Sequence, residues 1–186
     1  MTAYLKWDLE QITTPAHGLD ADWLKRSLNY TSTSQDDLIT SLIDASFDAI
    51  EGRLNSPILE TQFRARHSYA LGRAYDRLAL PKLPVASVDE VKVSLDDVDT
   101  VLQSADYDVV LGGNAYVGLR DEWYEAVTIT FTAGHSEIPA PVKTAVALHA
   151  SDLFRNRNAN LDSKYVPTAI NTLISSYIKP PYYARP

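Results

Sequence analysis

Two hydrophobic periods alternate along the chain, and the switch between them divides it. Over residues 19–29 (LDADWLKRSLN), Leu19, Trp23, Leu24 and Leu28 recur at helical spacing and predict a short helix. A longer stripe over 34–54 predicts a second: Leu38, Ile39, Leu42, Ile43, Phe47, Ile50 and Leu54, with Asp44, Asp48 and Glu51 on the other side. Ser34 and Asp37 have capping-box spacing at its start. Asn55-Ser56-Pro57 ends it, because the residue before a proline avoids helical geometry. From Ile58 to Gly134 the period falls to two. Strands are predicted at 59–66, 73–80, 86–95, 98–103, 107–111, 115–119 and 126–132, with the clearest alternation in Val127-Thr128-Ile129-Thr130-Phe131. Turn signals separate them at Pro81 and Pro84, Asp96-Asp97, Gly112-Gly113-Asn114 and Gly134, and residues 80–85 read as a stiff corner. Helical spacing returns after Pro139 and Pro141, which suit a first turn. Val142, Ala145, Val146, Leu148, His149, Leu153 and Phe154 carry the apolar side of this helix. Arg155 and Arg157 close it, where positive charge complements the helix dipole. A last helix is predicted near 167–178, carried by Ile170, Leu173, Ile174 and Tyr177. The proline-rich stretch 179–186, KPPYYARP, is predicted to be extended.

Helices, then a β-rich middle, then helices give an α+β class. The reading is a small bundle of N-terminal and C-terminal helices holding an inserted antiparallel β-rich region. At 186 residues the chain fits one domain. Its parts are a variable N-terminal segment (1–33), a helix (34–57), the β-rich insertion (58–134), the C-terminal helices (139–178) and the extended segment (179–186). The N-terminus shows no basic leader followed by an apolar core, so no secretory signal is expected. No apolar run approaches the roughly 20 residues a membrane helix needs, so no membrane partner is expected.

Charge changes the picture more than composition does. The net charge is −7, but residues 1–57 hold four Lys/Arg against nine Asp/Glu, and residues 58–138 seven against thirteen. Residues 139–186 reverse this, with six Lys/Arg against two Asp/Glu. The bulk acidity argues against a general nucleic-acid binder, which shows a basic surface. The asymmetry fits either solvated surface or an acidic front that meets the basic end of a neighbouring copy.

Candidate chemistry is sparse. The chain has no cysteine, which removes disulfides, thiolate zinc sites and cysteine nucleophiles. Of the four histidines, His17, His67, His135 and His149, only His149 has a carboxylate one turn away, Asp152, and two ligands do not make a metal site. Gly134-His135-Ser136 lacks the second glycine of a nucleophile elbow. Asp96, Asp97 and Asp99 lack the glycine and distal glutamate of a calcium loop and read as a solvated hairpin end. Gly112-Gly113 has no Gly-Lys-Ser/Thr after it and reads as a hairpin turn. Among Asp106, Asp108, Asp121, Glu122 and Glu125 the sequence couples no pair. No catalytic residue, metal or cofactor is expected.

Five segments in order carry a resemblance: Asp36-Asp37-Leu38-Ile39-Thr40-Ser41-Leu42-Ile43-Asp44-Ala45; the corner 80–85 with Ser87-Val88; Ser104-Ala105-Asp106-Tyr107; 127–134 leading into Ile138-Pro139 and its helix; and the last helix near Leu173. Over residues 34–178 the chain resembles the head–tail connector, or adaptor, proteins of long-tailed bacteriophages and gene transfer agents. The resemblance implies a non-enzymatic structural protein of the virion neck, made in the host bacterial cytoplasm. Its partners would be the portal protein, neighbouring copies in a ring of twelve, and the next neck or tail-terminator protein. DNA would pass through the ring without sequence-specific binding. It also implies that Lys179, Pro180, Pro181, Tyr182, Tyr183 and Arg185 form a portal-docking tail. In a ring, two different faces must match; Asp36, Asp37, Asp44 and Asp48 of one copy are expected near Arg155 or Arg157 of the next. The alternatives are another neck, tail-completion or baseplate component, or an enzyme using two carboxylates on a glycan.

Overall fold

The computed structural model describes residues 7–68, 77–120, 124–156 and 168–178. Among them the chain forms four helices and two antiparallel sheets, an α+β fold. They group into two compact units: a helical one of residues 16–58, 137–156 and 168–178, and a β-rich one of 7–15, 59–68, 77–120 and 124–136. No helix is long and apolar enough to cross a membrane.

In the helical unit, α1 (Ala21–Leu28) starts at Asp20, whose carboxylate accepts from the Trp23 N–H at 2.7 Å. Asn29, in the left-handed region at φ 52°, ends it. α2 (Asp36–Leu54) runs nearly as its stripe predicts, and Asn55 stops it at φ 53°. Its start differs from the expected capping box. Gln35 is the N-cap and makes no side-chain cap bond, while Ser34 turns back to the Ser32 hydroxyl. The Asp36 N–H donates to the Thr33 carbonyl at 3.2 Å instead, and the regular helical bonds begin with the Ile39 N–H to the Gln35 carbonyl. α3 (Ala140–Arg155) follows Pro139, with Pro141 in its first turn. α3 packs on α2 and on α4 (Thr168–Ile174), and α1 lies against α2 and α3. Leu24, Ile39, Ile43, Ile50, Ile170 and Ile174 are fully buried between them. Lys25 is buried too, and two carboxylates hold its Nζ, Asp22 at 2.8 Å and Asp36 at 2.9 Å. A buried cation requires such partners.

The β-rich unit has a five-stranded sheet in the order β1-β2-β8-β4-β5 and a three-stranded sheet in the order β3-β7-β6. Their strands are β1 (Asp8–Gln11), β2 (Thr61–Ser68), β3 (Leu78–Ala79), β4 (Val85–Leu95), β5 (Val98–Val101), β6 (Tyr107–Val110), β7 (Tyr116–Leu119) and β8 (Ala126–Ala133). Phe63, Ala65, Val91, Ile129, Phe131 and Val117 point into one core. Arg64, Arg66, Thr128, Thr130 and Lys92 alternate with them along the strands of the five-stranded sheet, as a half-buried sheet requires.

One predicted boundary differs here. β2 runs two residues past the predicted 59–66, because its partner β8 continues to Ala126 opposite Ser68. Residues 8–11, where no element was predicted, form an edge strand: β1 pairs with β2 from Asp8↔Arg66 to Gln11↔Phe63. The Trp7 indole N–H donates to the Ala79 carbonyl at 3.1 Å and anchors its start. Of the strand expected at 73–80, residues 73–76 lie outside the described residues and Leu78–Ala79 pairs with β7.

The two ends of the β-rich stretch meet. Leu59 and His135 form a parallel bridge, and the Glu60 N–H donates to the His135 carbonyl at 3.0 Å. Gly134 makes this possible. Its φ is +119°, and a Cβ there would collide with the Leu59 carbonyl. Its N–H donates to the Pro84 carbonyl at 2.9 Å, tying the proline corner to the same point.

Candidate functional site

The residues that could support chemistry are in structural use. His149 Nδ1 lies 3.0 Å from the Ser46 hydroxyl, but Ser46 is 0% exposed, so no substrate can reach it. This contact ties α3 to α2. Asp152 accepts from the Asn156 side chain at 2.7 Å rather than facing a metal with His149. Asp96 and Asp97, at φ 50° and 60°, form the tight turn between β4 and β5, the geometry a two-residue hairpin favours. Asp99 accepts from the Ser94 hydroxyl at 2.6 Å and pairs with Lys92 at 2.7 Å. Asp106 accepts from the Gln103 N–H, and Asp108 pairs with Arg120 at 2.9 Å. Gly112 sits at φ +93° in the loop joining β6 to β7. Asp121 and Glu122 lie outside the described residues. Among the described residues no three His, Cys, Asp or Glu side chains are placed to hold a metal ion.

The Ser46–His149 contact carries a pH consequence. Burial, and then the nearby Arg53 charge, hold the His149 pKa below its ordinary 6.5, with Asp152 opposing. Below about pH 6.5 the unfolded chain therefore takes up a proton that the folded chain resists. Stability falls as pH drops from there toward the folded-state pKa. His149→Gln removes this linkage, so urea midpoints at pH 7.5 and 5.5 should differ less for the variant than for the parent. Equal losses would show that His149 contributes nothing to the acid-side decline.

What remains is surface. Asp37, Asp44 and Asp48, at spacings of seven and four, share one exposed face of α2. Asp44 is bonded to His17 Nε2 at 2.9 Å, and Asp36 turns toward Lys25. Arg155 is exposed at the end of α3. Among the described residues Asp37, Asp48 and Arg155 enter no ion pair. The expected contact set thus divides: two aspartates are satisfied within the subunit, and two are available to a partner. Arg157 and the segment Lys179, Pro180, Pro181, Tyr182, Tyr183 and Arg185 lie outside the described residues.

Sequence reading missed a second surface. Val98 and Val101 on β5, and Val109 and Val110 on β6, are exposed at the outer strands of the two sheets. Their strands were visible as an alternation; that both are edges depends on the sheet order. The legible signal was the charge pattern, five aspartates and no Lys or Arg over residues 93–119.

No protein-family model matches the chain, and no curated protein matches it. Solved structures with the same fold include a chain in the neck of an empty gene transfer agent particle computed with C6 symmetry. Its TM-score is 0.73 at 22% identity, covering 96% of this chain and 98% of that one. A chain of the virion of a native gene transfer agent particle gives 0.69 at 21% identity, covering 95% and 98%. A chain in the neck of the native particle computed with C12 symmetry gives 0.61 at 22% identity, covering 96% and 98%.

Proposed function

We propose that this chain is a structural component of a virion neck, a head–tail adaptor that forms a ring beneath the portal. The ring extends the DNA channel and joins head to tail. The observation that carries this reading is the end-to-end fold match, at a TM-score of 0.73, with a chain in a gene transfer agent neck. The C6 and C12 symmetry of those necks supports a ring, and twelve copies is the number we adopt. Both units together act as one connector subunit, made in the host bacterial cytoplasm and finally lodged in the neck.

The surface chemistry fits this role. A cyclic assembly uses two different faces of each copy. Here the acidic face of α2 meets the basic end of α3 in the next copy, with Asp37 and Asp48 facing Arg155 and Arg157. The net charge of −7 suits a channel through which DNA slides, since phosphate neutralisation is what drives nonspecific binding. The next neck or tail-terminator protein would stack on the ring.

Mass photometry of the purified protein, alone and mixed with portal, tests the reading. The expected result is a portal complex heavier than portal by a whole ring of subunits. Absence of any portal association, at low and physiological salt, would move the assignment to a different neck or tail protein.

A further inference from the structure

Among the described residues, one large apolar side chain is exposed on α2, Leu38 at 39%, and one on α3, Leu148 at 42%. A single exposed leucine is ordinary on any protein surface. These two are set apart by the charges aligned with them. On α3, Arg155 lies seven residues after Leu148, about two helical turns, so both fall on one line with Ser151 between them. On α2 the same spacing runs through Leu38, Ser41, Ala45 and Asp48, all four exposed. A repeat of alternately three and four residues is the spacing of a seam between two helices. Arg155 and Asp48, at the ends of the two lines, enter no ion pair among the described residues. Setting Leu148 of one copy against Leu38 of another, with the helices running in the same direction, places Ser151 opposite Ser41 and Arg155 opposite Ala45. Ala45 leaves room for the arginine stem, and Asp48 stands about 4.5 Å further along the axis. With the helices opposed, the same leucine contact carries Arg155 beyond the first residue of α2, about 9 Å from Asp37 and about 25 Å from Asp48 along the axis.

We infer that Leu148 of one copy packs on Leu38 of the next, with α3 and α2 running in the same direction and Arg155 crossing Ala45 to reach Asp48. This register rests on the ring reading and adds to its charge pairing an apolar anchor, a direction and the one aspartate that Arg155 meets. The occupant of each face is a second copy, because each supplies what the other lacks: a leucine for a leucine, and a cation at the matching distance from a carboxylate. The two faces differ, so each copy offers α3 to one neighbour and α2 to the other, a heterologous contact that a ring closes. Asp152 flanks Leu148 on α3, and the Asn156 side chain already donates to its carboxylate at 2.7 Å. The leucine contact also shields the ion pair beside it from water, where an exposed pair would contribute little.

The chain has no cysteine, so single-cysteine variants report without background. Leu38→Cys subunits are mixed with Leu148→Cys subunits, assembled on portal and oxidised; the expected result is a disulfide between two subunits. Direction is read by mixing Ala45→Cys subunits with either Asp152→Cys or Thr144→Cys subunits. In the inferred register Asp152 lies about 4.5 Å from Ala45 along the axis and Thr144 about 16 Å, and opposed helices exchange these distances. Asp152→Cys should therefore cross-link about tenfold faster than Thr144→Cys, or more. Leu148→Ser, at an exposed position, should leave the urea midpoint of the isolated subunit unchanged and weaken assembly on portal about tenfold or more. Three results overturn the register while leaving the neck reading in place: a ring on portal without the disulfide between positions 38 and 148, faster cross-linking at position 144 than at 152, or parental assembly of Leu148→Ser. If the parent protein forms no ring on portal, the neck reading fails and the register falls with it.

Discussion

Gly134→Ala should destabilise the protein by about 2–4 kcal/mol, from two terms that act together. An alanine held at φ +119° costs about 1–3 kcal/mol. Its Cβ also meets the Leu59 carbonyl, so backbone must move where Glu60 N–H bonds to His135, and that bond contributes about 1 kcal/mol. Gly18→Ala is the control. Gly18 also has positive φ, +66°, but nothing lies within 4 Å of the added Cβ, so only the conformational cost of about 1 kcal/mol applies. Urea denaturation followed by tryptophan fluorescence compares the two, and equal shifts would show that the collision with Leu59 is relieved at no cost. The location gives this result its meaning. Leu59 and His135 are the ends of the long β-rich stretch, and their bridge joins the points where that stretch begins and ends. A chain that leaves a helical unit, builds two sheets and returns must bring these points together. The glycine is what lets the backbones approach.

How much of this was legible depends on whether a feature is local. α2 was readable because Ile39, Ile43, Phe47, Ile50 and Leu54 recur at helical spacing and are the residues that bury. Leu38 belongs to the same apolar run yet is exposed, because the buried stripe is narrower than the run. Leu148 on α3 repeats the pattern at 42% exposure. β8 was readable from its alternation, and the hairpin at Asp96-Asp97 from its turn residues. β1 was not, since three of its four residues are polar. It forms because the free edge of β2 accepts it, helped by Arg64 reaching Glu10 at 2.9 Å. The capping box at Ser34 was a local signal displaced by the Ser32 hydroxyl and the carbonyls of the preceding turn. Gly134 looked like any turn glycine, because Leu59 is distant in sequence. For the interaction surfaces, sequence indicated the charges but not their availability. Only the folded subunit shows that Lys25 and His17 already engage Asp36 and Asp44.

That division of the aspartates sharpens the second large effect. In the proposed ring, Arg155→Glu with Arg157→Glu should weaken assembly by about 100-fold or more, because the two attractive contacts proposed for each interface would become like-charge contacts. The subunit itself should stay folded. Arg155 is exposed and makes no ion pair among the described residues, so its loss leaves no buried group unpaired. The same availability argument names the partners. Asp37→Lys with Asp48→Lys should also block assembly alone, and should restore it when combined with the arginine reversals. Changing Asp36 should instead lower subunit stability, since Lys25 is buried against it. Sedimentation velocity of each variant with portal, at two salt concentrations, separates these cases. Exposed pairs also make assembly of the parent weaken as salt rises. Assembly of the double arginine variant at parental concentration would remove Arg155 and Arg157 from the interface. Failure of the charge swap to restore it would leave the arginines there but give them a different partner.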